Sequence, residues 1–118
     1  MGGEAELAPP GRIAVISRDG VGVNERLHRA ADVCLFERRG DAVRFVERRA
    51  LAPPVGRVFR DYLSLAQAAA GCRTIVALGF NGEARRELEA RGFRLHEARG
   101  AIERVIRSLP ADSFGPPR

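Results

Sequence analysis

The sequence predicts one mixed α/β domain whose elements run βββαβαβα around a five-stranded mixed sheet. Residues 12–49 hold three β-type runs, two of them joined by the tight turn Arg39-Gly40-Asp41. Residues 59–109 alternate helical periodicity with two short apolar runs, the pattern of strands joined in parallel by helical crossovers. The length of 118 residues, 45% hydrophobic and 30% charged, suits a single core that needs no staples.

Residues 1–11 are rich in Pro and Gly and are expected to form a flexible tail. Arg12-Ile-Ala-Val-Ile-Ser17 reads as the first strand. Residues 18–31 contain Gly20, Gly22 and Asn24 with few periodic apolar positions, and read as a loop ending in a helical turn. Strands are expected over 32–38 and 42–49, and Pro53, Pro54 and Gly56 then break the pattern. Phe59, Tyr62, Leu63, Ala66 and Ala70 recur at helical spacing, which predicts a helix over 59–70 stopped by Gly71. Thr74-Ile-Val-Ala-Leu78 is almost purely apolar, as in a strand covered on both faces. A charged helix over 83–91 turns Ala84 and Leu88 inward and stops at Gly92. A short strand follows over 93–96. The last helix, 101–109, carries Ile102, Val105, Ile106 and Leu109 on one stripe, and Pro110 ends it. Residues 110–118 are expected to be a second flexible tail, leaving 12–109 as the domain.

All 20 basic residues are arginine, and the net charge is +5. Arginine keeps its charge at any working pH and offers a planar fork of donors that suits oxyanions. The excess is uneven: residues 18–60 hold ten arginines against six acids, and residues 61–109 hold eight against six. An anionic partner is expected to meet the first half of the domain. No apolar run approaches the ~20 residues of a bilayer span, so no membrane is expected. The start of the chain does not read as a secretory signal. Cys34 and Cys72 are too few for a disulfide scaffold, so a reduced, cytoplasmic setting is expected.

Nucleotide-binding glycine motifs, the serine-hydrolase elbow and the zinc-protease helix are all missing from the sequence. A metal-dependent nuclease would need carboxylates at strand ends, and the first strand offers none. Three features could carry function. The loop Arg18–Arg29 presents Arg26, His28 and Arg29, with glycines that let a ligand approach the backbone. Gly79-Phe-Asn-Gly82 places a helix start at a sheet edge, where anions bind readily, although Asn81 also suits a plain helix cap. Cys34 lies among apolar neighbours and reads as buried, whereas Cys72 follows a helix end and is the more accessible candidate, although burial is the leading reading for it as well. His96 ends the fifth strand and could share the sheet edge with Asn81.

Three segments together carry a family resemblance: RIAVIS with DGVGVNERLHRAADVCLFE, AAAGCRTIVALGFNGEARRELEARGF, and HEARGAIERVIRSL. In order and spacing they resemble the dinitrogenase iron-molybdenum cofactor biosynthesis family, of the NifX and NafY type, also found as the C-terminal domain of NifB proteins. The resemblance covers about residues 12–109. It implies a ribonuclease H-like fold and a non-catalytic carrier role. The implied cargo is an anionic iron-molybdenum cofactor or iron-sulfur precursor cluster, passed to a nitrogenase maturation or acceptor protein. The family often carries two histidines in a VDxHFGHA-like stretch. Here Val23-Asn-Glu-Arg-Leu-His-Arg-Ala30 stands in its place, with Arg26 and Arg29 at the histidine positions and His28 at the glycine. His28 is thus the one candidate metal ligand of the loop, and Arg26, Arg29, Asn81, Cys72 and His96 are the other candidate cofactor-binding residues.

The alternatives are a nucleic-acid-binding ribonuclease H-like domain and a protein–protein interaction module. Nucleic acid fits poorly: there is one Tyr and no Trp, and Phe36, Phe45 and Phe59 read as core rather than as an exposed stacking platform.

Overall fold

The computed structural model describes residues 11–51 and 62–115. Along the chain these form β1 (Gly11–Val15), β2 (Gly22–Val23), a 3-10 turn at Leu27–Arg29, β3 (Asp32–Arg39) and β4 (Ala42–Ala50). Then come α1 (Tyr62–Ala68), β5 (Thr74–Ala77), α2 (Gly82–Ala90), β6 (Arg94–Glu97), β7 (Gly100–Ala101), α3 (Ile102–Ser108) and a 3-10 turn at Ala111–Ser113. Residues 59–61 of the expected first helix, Phe59 among them, lie outside the described residues, as does the Pro-rich break over 52–58.

The mixed α/β architecture expected from the sequence is present. Five strands form one sheet in the order β4-β3-β1-β5-β6. β1 is central: it pairs antiparallel with β3, Ile13 opposite Phe36, and parallel with β5, Val15 opposite Val76. β5 pairs parallel with β6 on its other side, so the apolar run Thr74–Ala77 is an inner strand, and all four residues are buried.

Alternation along the strands sorts the core into two layers. Ala14, Leu35 and Ile75 point to one face, where Tyr62, Leu65 and Ala68 of α1 and Ala84 and Leu88 of α2 cover them. Ile13, Val15, Cys34, Phe36 and Val76 point to the other, under Ile102, Val105 and Ile106 of α3. Fully burying each large aliphatic side chain contributes roughly 1.5–3 kcal/mol. Arg38 ties α3 to the β3–β4 hairpin by donating to the carbonyl of Ile106 (3.1 Å), which also accepts from the capping amide of Leu109, and to that of Leu109 (3.0 Å) just past the helix end.

Three expectations need correction. The inward face of α1 is Tyr62, Leu65, Ala68 and the following Ala69, while Leu63 points to solvent. Spacing alone fitted either stripe. Phe45 is 49% exposed: the register sets it opposite buried Phe36, whose ring it meets edge to face at 5.6 Å, but it stands on the edge strand β4 with no strand beyond it in the sheet. Residues 110–115 are no loose tail. Thr74 Oγ1 donates to the carbonyl of Ser113 at 2.7 Å, Phe114 packs against Gly11, and the Arg38 guanidinium lies 5.4 Å from the Phe114 ring centre.

Candidate functional site

The parallel strands β1, β5 and β6 all end at the same side of the sheet. In open α/β sheets the crevice outside such carboxyl ends is where ligands bind. Of the segments that follow these strands, the loop over 16–31 and Leu78 line the candidate site.

The first loop is shaped by its own short polar side chains. Asp19 accepts from the amides of Val21 (2.9 Å) and Gly22 (3.1 Å), and Ser17 Oγ accepts from the amide of Gly20 at 2.9 Å. Those amides, Val21 first, hold the Asp19 carboxyl down at about 2. Gly20 takes a left-handed conformation at φ +77°, which lets the chain double back. β2 then pairs with β7, Gly22 opposite Ala101, and the amide of Ile102 donates to Val21 at 2.9 Å.

Beyond Val23 the loop crosses to the end of β5. The amide of Leu27 donates to Gly79 at 3.2 Å, and the amide of Leu78 donates to Glu25 at 3.0 Å. Leu27 is buried in the core under α1 and α2, so its 3-10 turn must turn Arg26, His28 and Arg29 outward, and all three are exposed. A cleft of about 510 Å³ opens there, lined by Arg18, Arg26, His28 and Arg29, with Glu25 as its one carboxylate and Leu78 on its wall. Arg18 reaches Glu25 at 4.0 Å, whereas Arg26 and Arg29 form no ion pair with the described residues. The cleft can therefore attract an anion through two uncommitted guanidinium groups.

The structure thus brings Arg26, His28 and Arg29 together, and separates the other sequence candidates from them. Asn81 caps α2: its Oδ1 accepts from the amide of Ala84 at 2.7 Å. Nearby amides are also engaged, Arg85 with the Asn81 carbonyl at 3.0 Å and Phe80 with Glu97 Oε2 at 3.1 Å. Cys72 is not accessible; it is fully buried in the core, and burial pushes its thiol up to about 11. The chain after α1 turns inward at Cys72 instead of remaining at the surface. His96 does not join the cleft. It stands opposite Val76 and so faces the α3 layer, whereas Leu27 and Ala30 anchor the cleft in the layer under α1 and α2.

Cys34 is also buried, with the Arg48 side chain against it and Asp32 at 3.7 Å from Arg48; burial raises its thiol. No group of three or more His, Cys, Asp or Glu capable of holding a metal ion is found among the described residues. No helix among them is long and apolar enough to cross a membrane.

Arg18 and Gly79 open two of the segments the sequence marks, but neither they nor Glu25 are among its candidate site residues. Arg18 reaches the cleft only through the reversal at Gly20 and the β2–β7 pairing, and neither two-residue strand has a periodicity to detect. Gly79 lies under Arg26: a Cβ on Gly79 would stand 2.9 Å from Arg26 Nη1.

No family model matches the chain, and no curated protein matches it. Among solved structures it is similar to the crystal structure of PH0822, with a TM-score of 0.66 at 17% identity, covering 89% of this chain and 93% of that one. Likeness at that identity describes the fold.

Proposed function

We propose that the chain is a non-catalytic carrier that holds an anionic iron-sulfur or iron-molybdenum type cluster in the cleft at the end of β5, on a ribonuclease H-like variant of its α/β fold. The observation that carries this reading is the convergence of Arg26, His28 and Arg29 on one turn, pinned to the sheet by the Leu27–Gly79 and Leu78–Glu25 hydrogen bonds. The order β4-β3-β1-β5-β6, with antiparallel pairing on one side of β1 and parallel pairing on the other, supports the fold assignment. The resemblance of residues 12–109 to the cofactor-biosynthesis family supplies the cargo class.

Arginine is the main contact in this reading. Guanidinium donors suit the sulfides and any carboxylates of an anionic cluster, and they bind without coordinating the metal. His28 is the one soft ligand within reach, since both thiols are buried. The receiving protein would be a nitrogenase maturation or acceptor protein. Anaerobic incubation with a thiolate-capped four-iron four-sulfur dianion, followed by size exclusion and iron analysis, tests the reading. Iron co-eluting with the protein supports it; protein eluting free of iron at low salt overturns it.

One observation favours a nucleic-acid partner instead: Phe45 is half exposed on a strand that also bears Arg44, Arg48 and Arg49. A single ring offers one stacking position rather than a platform. Titration with a single-stranded oligonucleotide, comparing Phe45→Ala with the parent, separates the two readings.

A further inference from the structure

We propose that Gly79 is a positioning residue for Arg26: its missing side chain leaves the seat on which the guanidinium rests at the mouth of the cleft. This rests on the anion-carrier reading of the same site. Gly79 is buried and its φ lies outside the left-handed region, so its backbone conformation does not require glycine. The need for glycine comes from space. A Cβ there would stand 2.9 Å from Arg26 Nη1, too close to coexist, and in ordinary contact with Cζ at 3.7 Å, so the guanidinium at the end of this flexible side chain would have to shift. The next atom from that point is Glu97 Oε2, at 3.9 Å.

The seat is rigid because the Gly79 carbonyl accepts from the amide of Leu27, the residue after Arg26. The backbone of Arg26 and the surface under its guanidinium are thus held by one hydrogen bond. A flat, planar cation can lie against a bare backbone where a methyl group would lift it. Glu97 is held in turn by Arg85 at 3.3 Å and by the Phe80 amide, and leaves a negative edge beside the seat without closing an ion pair on Arg26. A guanidinium shifted off Gly79 is expected to lose its place beside Arg29 in the cleft. The fork is pre-organised for an anion by a glycine that touches no ligand.

A double-mutant cycle read by titration with the thiolate-capped four-iron four-sulfur dianion tests this. Gly79→Ala should weaken binding by about tenfold, the size of one charge-assisted hydrogen bond, and should flatten its dependence on salt. In an Arg26→Ala background the same change should cost nothing, because the methyl group then has room. Equal weakening of both backgrounds would show a general structural effect and overturn the proposal. So would unchanged binding in Gly79→Ala. Should Gly79→Ala fold poorly, the pair Gly79→Ala with Arg26→Ala must regain the melting temperature of Arg26→Ala alone, and failure to do so also overturns it. Parent protein that binds no cluster at all would refute the carrier reading instead, so the two failures are distinct.

Discussion

The amide of Leu78 donates to the carbonyl of Glu25 at 3.0 Å, and the amide of Leu27 donates back to Gly79 at 3.2 Å. Two hydrogen bonds thus clamp the arginine-bearing turn to the end of an inner strand. A loop held this way loses little further freedom on binding, so its arginines face an anion at low entropic cost. Arg18, Arg26, His28 and Arg29 stay exposed in the cleft while the backbone beneath the turn is fixed by the sheet.

Asp19 makes the preceding loop sensitive to acid. Its folded value of about 2 lies below the free value of about 3.9. A depressed carboxyl adds stability above the free value and loses it as pH falls through the folded one. Thermal unfolding of the parent and Asp19→Ala should therefore differ most near neutral pH. The gap should narrow below about pH 4 and close near pH 2. A gap independent of pH would show that the carboxylate's bonds to Val21 and Gly22 do not carry it.

Asn81→Ala should lower stability by about 1 kcal/mol through loss of the α2 cap. Cluster capture should be unchanged, since the side chain already holds the Ala84 amide. Chemical denaturation and iron retention, measured on the same variant, check both halves; lost capture at full stability would return Asn81 to the site.

Much of the fold was legible because it follows local rules. The unbroken apolar run at Thr74–Ala77 marked an inner strand, Gly40 at φ +60° marked the hairpin turn, and Gly92 at φ +93° marked the stop of α2. What escaped depends on pairings between distant residues. Gly22–Val23 becomes a strand only by meeting Gly100–Ala101, and Phe114 finds its place only against Gly11. Phe45 reads as core because its face does meet buried Phe36, and the sequence does not show that its strand is the edge of the sheet. At the site, Arg26, His28 and Arg29 shared one short segment and could be grouped by eye. Gly79, beneath Arg26 just beyond β5, and Glu97, at the end of β6 near Gly79, could not.

Thr74→Val removes the donor to Ser113 while keeping the shape of the side chain. Leaving that buried carbonyl without its partner should cost about 1–3 kcal/mol. Denaturant midpoints check the size, and hydrogen exchange should show faster protection loss at residues 111–115 than elsewhere. Unchanged exchange there would mean that the segment is held by its other ties, Phe114 against Gly11 and Arg94 with Asp112.

His28 and His96 should behave differently. His96 lies on the α3 side of the sheet, so His96→Ala should leave cluster affinity unchanged. Arginine-led binding predicts that His28→Ala keeps most of the affinity and that capture varies little between about pH 6 and 8. Capture that collapses in His28→Ala would mark a metal–histidine bond.

The most direct test of the carrier reading is the affinity of the double variant Arg26→Ala with Arg29→Ala for the four-iron four-sulfur dianion, titrated at low and at physiological salt. Both side chains are exposed and form no ion pair with the described residues, so the fold should keep its stability. The account predicts parent binding that is tight at low salt and weakened at physiological ionic strength, where screening acts over about 8 Å. Removing two charge-assisted hydrogen bonds should weaken the double variant by about a hundredfold at low salt, with little salt dependence remaining. A double variant that binds like the parent at low salt would contradict it.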